Sequence, residues 1–191
     1  MTIDFNAVAT AGTLSVTATN ACGTGPARTV DIGIIVASFA YTGSPYCQNH
    51  ADPLPVLDPG SVTGVFSSTP GLVFLNAATG QIDLSASASG TYTVTNTVSP
   101  SPCGVLTATA TVTVSGQSWN GSDGTDWNNP ANWSCGFVPY PVTDISIPDV
   151  ANEPVIGSGD TGDAANITIV TGSSLIVSGG TIRIHGTVVS N

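Results

Sequence analysis

The sequence predicts an all-β protein in which β-sandwich modules are followed by the capped start of a β-solenoid, and three observations carry that reading. Only 7% of residues are charged, while 41% are hydrophobic and are interleaved with Thr, Ser, Asn and Gly, the composition of strands rather than of a solvated coil. A pattern running from Gly12 to Ile32 through Cys22-Gly23 recurs from Gly90 to Val114 through Cys103-Gly104, as in a tandem array. After Gln117 the strands become short and closely spaced.

Residues 1–36 read as the C-terminal part of an Ig-like module, with strands at Ile3 to Asn6, Gly12 to Asn20 and Arg28 to Val36. In the second, Leu14, Val16 and Ala18 alternate with Thr13, Ser15 and Thr17, the period of a half-buried sheet. Such a half sandwich would leave one apolar face open.

Residues 37–116 read as a complete Ig-like sandwich. Seven strands are predicted: Ser38 to Thr42, Leu54 to Leu57, Gly64 to Ser67, Leu72 to Leu75, Gln81 to Leu84, Gly90 to Val98 and Val105 to Val114. Turn residues such as Asp58-Pro59-Gly60 and Thr69-Pro70-Gly71 separate them. In the last strand Leu106, Ala108, Ala110, Val112 and Val114 point inward. The Thr107 to Thr113 ridge, superficially like an ice-binding face, reads as the strand's exposed side.

Residues 117–191 begin with Trp119, Trp127 and Trp133, then run through Asp144 to Pro148, Pro154 to Ile156, Ile167 to Ile169, Leu175 to Val177, Ile182 to Ile184 and Val188-Val189. Strands this brief cannot support hairpins with their own core, but they can stack as coils of a solenoid. The tryptophans read as a plug over its first coil. The alternative is a glycan platform, since flat aromatic faces stack on sugar rings.

Cys47 and Cys103 fall in one module, and a disulfide between them would close a loop of roughly 57 residues, worth about 4 kcal/mol. Cys22 matches Cys103 in the repeat, so its partner would precede Met1. Cys135 is left as a free thiol or as bonded to sequence outside the chain.

Arg28 and Arg183 are the only basic residues against twelve acids, a net charge of -10. That balance excludes nucleic acid and anionic membrane surfaces as partners. With no run of 18 apolar residues, no membrane insertion is expected. The first twenty residues lack the pattern of a signal peptide, so the chain reads as an internal piece of an extracellular protein.

Asp123, Asp126 and Asn128 could supply oxygen ligands to calcium, the one cofactor the sequence suggests; loop-forming Asx turns explain them as well. Asp160 and Asp163 read as further turn residues. His50 and His185 read as surface residues, Glu153 is the sole glutamate, and Ser122 and Ser158 sit in ordinary turns, so no catalytic residue and no enzyme are expected. Without lysine, Lys-Asn isopeptide cross-links are chemically impossible.

The segments Ala37 to Tyr41, Ser44 to Asn49, Gly64 to Leu72, Asn76 to Leu84, Ser89 to Thr95 and Cys103-Gly104 closely resemble the repeats of SprB-like gliding-motility surface adhesins. Gly12 to Arg28 resembles the PKD-like or Ig-like modules of the same proteins. Trp119-Asn120-Gly121, Thr125 to Asn128, Asn132-Trp133 and Val138-Pro139 resemble the Trp-rich lead-in to solenoid segments of large surface proteins. The resemblance implies a type IX secreted protein at the bacterial cell surface, in gliding motility or surface attachment. It would contact surface polysaccharide or substratum through the parent protein, with adjacent repeat modules as neighbours. The expected function is a non-enzymatic structural and adhesive stalk segment. A carbohydrate-binding module using Trp119, Trp127 and Trp133 is the alternative.

Overall fold

The chain is all-β in the computed structural model, which describes residues 11–99 and 104–191. The expected strand at Ile3 to Asn6 and Cys103 both lie outside the described residues. The first unit has β1 (Gly12–Val16), β2 (Thr19–Asn20), β3 (Gly23–Thr24) and β4 (Arg28–Ile32). β1 pairs antiparallel with β4 from Gly12↔Ile32 to Val16↔Arg28, and β2 with β3 in a tight hairpin. The second expected strand is thus divided at Thr17-Ala18, its first part pairing with β4 and its second with β3. Val16, Val30, Ile34 and Ile35 are exposed.

The next unit comprises β5 (Phe39–Ala40), β6 (Val56–Leu57), β7 (Val65–Ser68), β8 (Val73–Asn76), β9 (Gln81–Asp83), β10 (Gly90–Val98) and β11 (Leu106–Val114). Each lies within a residue or two of its sequence-predicted position. A three-stranded antiparallel sheet runs β11-β10-β7, while β5-β6 and β8-β9 form separate pairs. Strand alternation builds the core: Tyr92, Val94, Val112 and Val114 point inward onto Phe39, Tyr41, Tyr46, Phe66, Leu72, Ile82 and Leu84. Buried Asn96 donates to the Ala37 and Val62 carbonyls and accepts from the Gly64 amide, so its burial leaves no group unpaired. The threonine ridge is doubled, since Thr91, Thr93, Thr95 and Thr97 face Thr113, Thr111, Thr109 and Thr107 across the β10-β11 ladder.

Parallel pairing takes over at β12 (Gln117–Ser118). It continues through β13 (Ile145–Ile147), β14 (Val155–Ile156), β15 (Thr161–Ala164), β16 (Ile167–Ile169), β17 (Ile176–Val177), β18 (Thr181–Ile184) and β19 (Val188–Ser190). Three ladders form: β12-β13-β16-β19, β14-β17 and β15-β18. Ile145 pairs with Ile167 and Ile167 with Val188, Val155 pairs with Ile176, and Thr161 with Thr181. The chain therefore returns to each ladder about every 21 residues, and each pass stacks on the one before. Inward Ile145, Ile147, Ile156, Ala164 and Ile167 form a second core. The strand at Thr161–Ala164 was not anticipated, because Thr-Gly-Asp-Ala is not an apolar run and only its stacking on β18 makes it a strand.

Candidate functional site: the tryptophan cluster and the junction

All three indoles lie inside the second core, each exposed by no more than 2%. Trp119 meets Trp133 edge to face with ring centroids 5.1 Å apart, and Trp133 meets Trp127 in the same way at 4.9 Å, the geometry that aromatic quadrupoles favour. Trp119 donates its indole N–H to the Asn152 carbonyl at 2.7 Å, and Trp133 donates to the Trp127 carbonyl at 2.8 Å. The Trp127 N–H is buried without a hydrogen-bond partner. It sits where a side chain on Gly162 would intrude, since a Cβ there would lie 2.8 Å from Trp127 Nε1. This arrangement leaves no indole face open for stacking on a sugar.

The loop carrying these rings is organised around buried Asn132. Its Oδ1 accepts from the Asp123 amide at 2.7 Å and its Nδ2 donates to the Asp126 carbonyl at 3.0 Å. Asn129 caps the 3-10 turn Pro130–Asn132 and donates to the Asp123 carboxylate, while the Asp126 carboxylate accepts the Asn128 amide at 2.9 Å. Asp123 and Asp126 thus serve as loop-forming acceptors, and a calcium ion would have to recruit the same carboxylates. Among the described residues no three His, Cys, Asp or Glu side chains converge.

The disulfide departs from expectation. Cys47 is bonded to Cys135, with Cα atoms 5.9 Å apart and a sequence separation of 88, so Cys47 is not available to Cys103. Cys135 is neither free nor dependent on sequence outside the chain. The physical reason is the docking of the coils against the sandwich: Tyr46 exchanges backbone bonds with Thr113 and Ser115 at the end of β11, while the Cys135 amide donates to Gln117 Oε1 at the start of β12. The two sulfurs therefore meet beside the chain crossing at Ser115-Gly116. Cys22 is exposed and free.

Gln48, next to the bond, is 1% exposed. Its Nε2 donates to the Ser87 carbonyl at 2.6 Å, and its Oε1 accepts from the buried Thr143 hydroxyl. Ser89 Oγ accepts the Asp144 amide at 3.1 Å. From there a polar ladder climbs the coils: Asp144 Oδ1 accepts from Asn166 Nδ2 at 2.6 Å, and Asn166 Oδ1 accepts from the Thr187 amide at 2.8 Å. Sequence reasoning passed over Gln48, Thr143 and Asn166, although the spacing of Asp144, Asn166 and Thr187 carries the same period as the strands.

His50 lies in a turn closed by its amide and the Cys47 carbonyl. Asp163 is not a turn residue: it sits on β15 opposite Arg183 of β18, and the guanidinium binds both its oxygens at 2.9 and 2.6 Å. Those hydrogen bonds hold the Asp163 carboxyl below its ordinary range, opposed by partial burial and aided by His185 at 3.3 Å. Arg183 is raised in turn by the same hydrogen bonds.

Residues 118–191 match the family model of a domain of unknown function, DUF8693. No curated protein matches the chain, and no solved structure does.

Proposed function

We propose that this chain is a non-enzymatic structural and adhesive stalk segment of a large bacterial cell-surface adhesin, serving gliding motility or surface attachment. The observation that carries the reading is the burial of the three tryptophans, packed edge to face on one another in the core of the parallel strands, where we read them as closing an apolar end. Modules of this kind extend by repetition of one stacking contact, which suits reach and load bearing. The resemblance to gliding adhesin repeats supports a cell-surface position, with polysaccharide or substratum as the partner of the parent protein.

Small-angle scattering of the chain in solution is expected to give an elongated particle, and a compact globule would overturn the stalk reading. A glycan array separates it from a carbohydrate-binding module. Glycan binding by the folded chain would favour the module, carried by a surface other than the three buried indoles.

A further inference from the structure

We infer that the Cys47–Cys135 disulfide is a force bypass, which takes residues 48–134 out of the tension path when the chain is pulled by its ends. The significance of this device rests on the stalk reading, whereas the path itself follows from covalent connectivity. Tension entering from the first unit reaches Cys47 after β5. It then crosses the bond to Cys135 and leaves through the coils, β13 to β19. Strands β6 to β12 lie between the bonded residues and are bridged at 5.9 Å between Cα atoms. They cannot be drawn out while the bond holds.

Three local features anchor the bypass. On the sandwich side, Tyr46 is zipped to β11, its amide donating to the Thr113 carbonyl and its carbonyl accepting from the Ser115 amide at 2.9 and 2.8 Å. On the other side, the Cys135 and Ser134 amides donate to Gln117 Oε1 and the Ser118 carbonyl. Between them, the Gln48–Thr143 bond and the Asn49 side chain, which donates to the Cys135 carbonyl, close the junction. The main chain crosses at the same place, through Ser115-Gly116, where a Cβ on Gly116 would lie 2.7 Å from the Asp144 carbonyl oxygen. The junction is thus crossed twice by covalent bonds within a few residues. The longer of the two routes carries no tension.

Single-molecule pulling of the full chain, attached at its ends through tags that do not use cysteine, tests this directly. The fully stretched length is read with and without dithiothreitol. At about 3.5 Å per residue, reduction should lengthen the stretched chain by about 300 Å, the span of the 88-residue separation. A gain of about 200 Å would instead signal a Cys47–Cys103 bond, and no gain would signal no bond; either overturns the bypass. Because the stretched length reports covalent connectivity, it is informative whether or not the reduced protein stays folded. The Cys135→Ser variant should show the long length under both conditions. If the 300 Å gain is found but scattering gives a compact particle, the bypass stands and the stalk reading fails.

Discussion

At the scale of single residues, Trp127 and Asp163 show how burial decides which side chains matter. Trp127 is fully buried with an unpaired indole N–H. Its contribution is therefore packing volume, because an orphaned donor costs stability. Trp127→Ala should lower unfolding free energy by about 3–5 kcal/mol, as for other large-to-small core changes, measured by denaturant titration. Gly162→Ala tests the same contact from the other side and should cost roughly 1–3 kcal/mol by overpacking against Trp127 and Ile156. Asp163 acts by charge. Its folded-state carboxyl is depressed by the Arg183 hydrogen bonds, so its stabilisation is present above the unfolded value near 3.8 and is lost as pH falls through the lower, folded value. The stability difference between the native chain and Asp163→Asn should accordingly be largest at neutral pH and vanish in strong acid. Thermal melts across that range read it out. The pair is largely exposed on the arginine side, so the difference is small.

Among the elements, what could be read from the sequence was whatever repeats at short range. The alternation in β10 and β11 and the Gly and Pro punctuation place the sandwich strands closely, because period-2 burial and turn chemistry are local. β15 escaped because its Thr-Gly-Asp-Ala sequence becomes a strand only by stacking on β18. Asp163 looked like a turn residue for the same reason, its partner Arg183 lying one coil away. The candidate site was legible in part: the three tryptophans stand out in the sequence as a cluster and share one core, but the bond beside them was assigned to the wrong partner. Module logic pairs cysteines within a module, whereas Cys47 and Cys135 are brought together by docking between β11 and β12, which no local pattern encodes. The polar ladder offers a test at this scale. Asn166→Ala removes acceptors for the Thr187 amide and hydroxyl and a donor to Asp144, and should cost about 1–3 kcal/mol. Hydrogen exchange should quicken at Thr187 and along β19 before it changes in β10.

For the molecule as a whole, the disulfide closes a long loop, and the chain-entropy relation assigns such a closure about 4–5 kcal/mol. Reduction of the bond should lower the melting temperature and give two thiols for labelling, at Cys47 and Cys135. The sandwich core and the coil core each keep their own apolar contacts, so reduction is expected to weaken their docking more than their internal packing, as two transitions in calorimetry would reveal.

The Gln48–Thr143 bond has a further consequence for how such proteins can be rearranged. Thr143 belongs to the stretch matched by DUF8693, yet its buried hydroxyl is satisfied by a residue of the preceding module, and Cys135 is satisfied by that residue's neighbour. Transplanted behind an unrelated module, the same 74 residues would carry a Thr143 O–H donor without its Gln48 acceptor, and an unpaired thiol, into the new junction. Sandwich and coils are therefore best inherited, cloned and grafted as one cassette.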